Sequence, residues 1–288
     1  MIPARVKHSE GRHALVDGIP FALPVNSSDT PAVIAAFPID ADRAAELLPG
    51  NELHPIRLPG GRGLLIVTVI DYKVTDIGQY IEYSIAIGCL HRTRSLLWGL
   101  LRNRWGQYVV DLPVSSEVSV KGGKGIWGMP KHQKPLEFEI AEDTVSSRYY
   151  LDGELAVEIA VRKPRFTGIP LSAGLSNYCQ FRGMLMRSTV YFKARAGLNL
   201  PFSRAARLTI SDHPRVASLK ALGIGERAWF SCFLPDSKGV LDDHCESWFL
   251  SYDQPPAEAP EGLESVAGLG LSEEWLPTPK ATLQKVRS

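Results

Sequence analysis

The sequence predicts a mainly β fold of the α+β class, with one large sheet core and a few peripheral helices. Three observations carry that reading. Alternating runs rich in Val, Ile, Tyr and Phe recur between Gly and Pro punctuation, whereas helix-period patterns are few and short. The runs share a single span, residues 1–250, with no internal repeat and no break in composition. That many strands in one stretch suits a single barrel or sandwich better than two domains.

The first element is the helix in "DADRAAELLPG", where Asp40 or Asp42 caps the start and Pro49-Gly50 stops it. Strands are predicted at "GLLIVTVIDY", "QYIEYSIAIG", "QYVVDLPV" and "LEFEIAED". Further strands follow at "SSRYYLDGELAVEIAV", "LMRSTVYFKARAGL", "ARLTI" and "RAWFSCFL". The fifth of these runs reads as a hairpin, because Asp152-Gly153 tolerates the positive φ that a tight primed turn demands. Residues 251–288 are dominated by Pro, Glu and Ala and read as an extension either wrapped on the surface or partly mobile, with "EEWLPTP" as a candidate anchor.

Composition removes several classes of function. With 44% hydrophobic and 22% charged residues and a formal net charge of +1, nothing favours nucleic acid or an anionic membrane as a partner. The opening residues lack the apolar stretch of a secretory signal, and no run approaches the roughly eighteen apolar residues of a membrane span, so a cytoplasmic location is expected. Cys89, Cys179, Cys232 and Cys245 are scattered without metal-ligand spacing and read as buried free thiols. His213 and His244 sit beside carboxylates but lack a third ligand, so turn capping explains them and no metal is expected. "KGGKG" lacks the ending of a phosphate loop; its glycines are expected to turn the backbone tightly before Trp127. No cofactor is implied.

The stretch richest in chemistry is "KGGKGIWGMPKHQKPLEFEI", residues 121–140. Pro130 fixes its own φ and pushes Met129 toward an extended conformation, so the backbone entering Lys131 is stiff. A lysine becomes an amine nucleophile when its ammonium is disfavoured by apolar surroundings or a neighbouring cation, and Trp127 and Met129 are candidate walls. From the residues alone, a solvated basic loop is the better explanation of Lys131 and Lys134, and the sequence chemistry does not by itself make Lys131 a nucleophile.

"GKGIWGMPKH" resembles the signature of the acetoacetate decarboxylase family, in which the first of two lysines after a proline forms the Schiff base. The resemblance extends through "FPIDADRAAELLPGNEL", "VTDIGQYIEY" and "ARLTISDHPRVASLKALGIGERAWFSCFLPDSKGVLDD", covering roughly residues 30–250. It implies an acetoacetate decarboxylase-like barrel or clam-shaped sheet core, a homo-oligomer, and Lys131 as the nucleophile. Activation by desolvation or by a nearby cation is the established pattern for acetoacetate decarboxylase itself, so that expectation comes with the family.

This chain departs from the family pattern at several positions. "SSDTPAVIAAF" has no arginine where the family holds a substrate carboxylate, and "LLIVTVI" is apolar where the family carries a glutamate. A second family glutamate aligns best with Asp76. Glu82, six residues on, shares an alternating strand face with Asp76, Gly78, Tyr80 and Ser84, while Ile81, Tyr83, Ile85 and Ile87 form the other. Asp76 and Glu82 are therefore both candidate acids or bases. His132 replaces the second lysine, so a lowered Lys131 pKa would rest on desolvation; His132 either shuttles protons or faces solvent.

Trp127, Met129, His132 and Tyr80 are expected to contact substrate. The insertion "HRTRSLLWGLLRNRW", residues 91–105, reads as a subunit contact or lid, and Arg94, Arg102 or Arg104 are candidates to replace the missing clamp. The function expected is a lyase that forms a lysine Schiff base with a small oxo acid, ketone or aldehyde, leading to decarboxylation or to aldol or dehydration chemistry. The alternative is a non-catalytic small-molecule binding protein on the same barrel.

Overall fold

The computed structural model describes residues 11–254, and seven of its strands close a barrel. In chain order these are β1 (Ala32–Asp40), β2 (Arg62–Tyr72), β3 (Tyr80–His91) and β4 (Trp105–Val114), then β5 (Ile169–Phe181), β6 (Met184–Leu198) and β7 (Phe230–Leu241). Sequence neighbours are mostly spatial neighbours, as short connections dictate. β1 through β4 pair antiparallel in succession, β5 pairs with β6, and β7 closes the ring between β6 and β1. The one parallel contact in the ring is the short β4–β5 seam, where Gln107 faces Asn177 and Tyr108 faces Tyr178.

A separate four-stranded sheet (Leu136–Ile140, Thr144–Leu151, Glu154–Arg162 and Ala206–Ile210) covers part of the barrel's outer surface. The period-2 alternation of β3 explains how the layers divide. Tyr83, Ile85 and Ile87 point outward into the principal core with Val145, Tyr149, Val157 and Ile159 of the small sheet. Tyr80, Glu82 and Ser84 point inward. The main hydrophobic core thus lies outside the barrel, between two sheets, and the barrel interior stays partly open.

Helix α1 (Ala41–Glu46) is capped by Asp40, whose Oδ1 accepts from the Asp42 and Arg43 amides at 2.9 and 3.1 Å. Helix α2 (Leu96–Leu101) lies in the 91–105 insertion, capped by Ser95, and leaves Leu97, Trp98, Leu100 and Leu101 exposed. Helix α3 (Glu117–Trp127) corrects the reading of "KGGKG": these glycines are helical rather than a tight turn. Packing overrides their poor helix propensity, because a Cβ on Gly122 would stand 2.7 Å from the Phe21 ring and one on Gly125 2.4 Å from Val16. Two barrel strands, β1 and β5, lie in segments that the alternation pattern did not mark.

The four cysteines are free thiols, with Cys89, Cys179 and Cys232 buried and Cys245 half-buried. His213 accepts from the Arg215 amide as a turn cap, and the His244 amide donates to Asp242. Near the end of the described residues, Ser251 donates from both N and Oγ to the Glu52 carboxylate. Most of the extension, including "EEWLPTP", lies outside the described residues. Among the described residues, no helix is long and apolar enough to cross a membrane.

The core contains one testable flaw. Tyr83 is fully buried and its hydroxyl has no hydrogen-bond partner among the described residues. Removing an unsatisfied buried hydroxyl relieves a desolvation cost on the order of 1 kcal/mol. Tyr83→Phe is expected to raise the denaturant midpoint in equilibrium unfolding; a clear drop would mean the hydroxyl has a partner.

Candidate active site

The site is built by a short β–α–β unit. After β4 the chain turns through Ser116, whose Oγ caps α3, and α3 runs back along the barrel to Gly128. Gly128 adopts φ 64°, a left-handed cap that suits glycine, while the Gly128 and Met129 amides donate to Lys124 O and Gly123 O. Pro130 ends the helix, and Lys131–Gln133 forms a three-residue strand parallel to β4, with Lys131 opposite Leu112. Successive residues of a strand face opposite ways, so Lys131 enters the barrel and His132 leaves it.

Lys131 is 3% exposed. Its Nζ donates to Glu82 Oε2 at 2.7 Å and to Ser119 Oγ at 2.9 Å, and stands 5.2 Å from the centre of the Tyr80 ring. Burial works to lower the pKa of this ammonium, but the Glu82 carboxylate and Tyr80 outweigh it, and the net shift is upward. A pKa lowered by desolvation is therefore corrected: the amine rests as an ammonium, held by Glu82. Tyr80 is pushed up to about 12, chiefly by burial with Lys131 opposing, so it stays a neutral hydroxyl at physiological pH. Tyr72 stacks on it at 4.6 Å and is itself raised by burial.

The group opens onto a cavity of about 350 Å³ inside the barrel. Trp127 and Met129 line it together with Lys131, Glu82, Tyr80, Tyr72 and Gly123. Trp127 is fixed by an Nε1 hydrogen bond to Asp242 O at 2.8 Å. The helical glycine at 123 is what admits the lysine, since a Cβ there would stand 2.4 Å from Lys131 Cδ. The two segments where the family pattern carries charge present uncharged groups instead: Ser27, Thr30, Ala32, Ile34 and Ala36 from the first, and Ile66, Thr68 and Ile70 on β2, all line the cavity.

Other candidates lie elsewhere. His132 is neither in the cavity nor in bulk solvent; it is half-buried, with Nε2 2.6 Å from Asp111 Oδ1. Asp76 is exposed and serves a turn, its Oδ2 accepting from Asn26 N at 2.8 Å and Asn26 Nδ2 at 3.2 Å. It precedes β3, so the alternation that aims Glu82 does not reach it. Arg94, Arg102 and Arg104 are not among the cavity-lining residues. Sequence reading also missed Ser119, Tyr72 and Gly123. Recognising Ser116-Glu117 as a helix start would have placed Ser119 on the first turn, facing Lys131.

The family model for acetoacetate decarboxylase matches residues 8–160, and the chain belongs to that family of lyase-type enzymes. Among solved structures, the chain is similar to an acetoacetate decarboxylase from Legionella pneumophila subsp. pneumophila str. Philadelphia 1. That match has a TM-score of 0.56 and 14% identity, over 76% of this chain and 85% of that one. It is also similar to the enduracididine biosynthesis enzyme MppR complexed with pyruvate (TM-score 0.54, 17% identity, 78% and 90% covered). A third is an acetoacetate decarboxylase-like enzyme from Sphingomonas wittichii RW1 (TM-score 0.55, 12% identity, 79% and 94% covered). At such identities the likeness shows the fold alone. No sequence among curated proteins matches this chain.

Two outcomes test the site's physics. A lysine pKa raised on folding adds stability that is full below the ordinary lysine value of 10.5 and is lost as pH rises through the folded value. Removing the carboxylate in Glu82→Gln leaves burial opposed by Tyr80 alone, so the pH midpoint for amine labelling of Lys131, read by mass spectrometry, should move down. An unchanged midpoint would mean that Glu82 does not hold the proton. Gly123→Ala should displace the Lys131 stem and reduce its reaction with a carbonyl probe by about a hundredfold, with the circular dichroism spectrum retained.

Proposed function

We propose that the chain is a cofactor-independent Schiff-base lyase in which Lys131 condenses with a ketone or aldehyde and Glu82 moves the protons. The observation that carries this reading is the buried Lys131–Glu82 pair at the wall of a largely apolar cavity inside the barrel. An ion pair in such surroundings is poorly solvated, and an entering apolar substrate removes what water remains. The pair then relaxes toward its neutral form, with the ammonium proton passing to Glu82. The freed amine adds to the carbonyl carbon, and an N–H proton passes to the oxygen to give a carbinolamine. Glu82 returns its proton to the hydroxyl, water leaves, and the iminium remains as an electron sink for cleaving an adjacent bond. Ser119 and the neutral Tyr80 hydroxyl hold the nitrogen and the departing oxygen.

Which bond breaks depends on what the cavity holds. Aligning a carboxylate for decarboxylation needs a cationic partner, and the Arg94, Arg102 and Arg104 side chains do not line the cavity. Aldol or dehydration chemistry asks for no such clamp.

Borohydride trapping tests the proposal. Wild type incubated with acetone should gain a reduced adduct at Lys131, Lys131→Ala should gain none, and acetoacetate should be decarboxylated weakly or not at all. Absence of any adduct with ketones, aldehydes and oxo acids alike would make this a binding protein. Efficient acetoacetate turnover, unaffected by replacing Arg94, Arg102 and Arg104, would mean that the carboxylate is held elsewhere.

A further inference from the structure

We infer that the carbonyl compound this cavity accepts is uncharged, apolar and elongated, and carries a neutral hydroxyl at the end remote from the carbonyl. The inference deepens the imine reading above and rests on it for the position of the carbonyl. Charge sets the first limit. Among the described residues lining the cavity, Lys131 and Glu82 alone carry formal charge, and at 2.7 Å each neutralises the other. A carboxylate entering this space would lose its water without gaining a free cation, a cost that an uncharged molecule avoids.

The walls set the second limit. Ile34, Ile66, Ile70, Phe192 and Leu234 present hydrocarbon along the barrel, a surface that rewards an apolar chain. The length follows from strand geometry. Lys131 lies opposite Leu112 on β4, and Gln107, which also lines the cavity, lies five residues up that strand across a bulge at Val110, roughly 13 Å away. A short oxo acid at Lys131 would leave the far part of the cavity unfilled.

Gln107 supplies the third limit. It is 3% exposed and its Nε2 donates to Asn177 Oδ1 at 2.8 Å across the parallel seam. That pair helps close the barrel, but it occupies only one end of the glutamine amide. Gln107 Oε1 has no partner among the described residues. An apolar pair would close the seam without leaving a buried acceptor unsatisfied, a state that is costly to maintain. Gln107 lines the cavity, and a ligand hydroxyl that drew its buried amide oxygen toward the lumen would donate to it, whereas a ligand carboxylate would repel it.

Four probes in the borohydride assay test this: acetone, a twelve-carbon methyl ketone, the same ketone with a terminal hydroxyl, and the same ketone with a terminal carboxylate. The half-saturating concentration should be lowest for the hydroxyketone, about tenfold higher for the plain ketone and higher again for the keto acid. Gln107→Leu should bring the ratio between hydroxyketone and plain ketone to about one. The wild-type order alone is decisive if that variant does not fold. Trapping of acetone with no gain for the long ketones, or with the keto acid equal to the hydroxyketone, would overturn the inference while leaving the imine reading intact. Calorimetry with the twelve-carbon primary alcohol, which cannot form an imine, separates the two ideas from the other side. If the alcohol binds more tightly than the corresponding fatty acid while no carbonyl is trapped, the cavity inference stands and the imine reading falls.

Discussion

One ion pair organises this molecule. An ammonium and a carboxylate placed inside an apolar barrel are tolerable only together, and only if their remaining hydrogen-bonding capacity is met. The rest of the site serves that condition. Ser119 and Tyr80 surround the nitrogen, Gly123 gives up its side chain so that the lysine stem can lie against the helix, and the three-residue strand fixes the direction of entry. Breaking the pair by removing one partner strands the other. Transferring one proton between them would discharge both.

Much of the barrel was legible in the sequence because half-buried strands alternate. β2, β3, β4 and β6 each have one face against a core and one toward the interior, and the period-2 signal survives in them. β1 was hidden because its Ala32–Ile39 run is apolar on both faces, one packed in the core and the other lining the cavity. β5 was hidden because Gly174 and a run of small and polar residues dilute the pattern. Helix α3 was concealed by its own glycines, which propensity reads as a break and packing reads as clearance.

The site divides along the same line. Lys131 was visible through the stiff Met129-Pro130 approach and through family likeness, and Glu82 through its strand parity. Asp76 shared that parity on paper, but Gly78 at φ 86° takes the chain out of strand geometry before β3 begins, so the count does not carry across. Gln107 carries no local signal, and Ser119 carries only the helix start at Ser116-Glu117. Each matters because of what long-range pairing places opposite it, Lys131 in one case and Asn177 in the other.

The location of the main hydrophobic core has a wider consequence. Because that core lies between the barrel's outer surface and the four-stranded sheet, the residues that stabilise the fold and those that line the cavity occupy opposite faces of the same strands. On β3, Tyr83 and Ile85 belong to the first group, and Tyr80, Glu82 and Ser84 to the second. Exchanging an inward Ile for a smaller or polar residue reshapes the chamber without thinning the layer that holds the sheets together. A scaffold arranged this way can change what it accepts by altering its lining while its stability is maintained from behind.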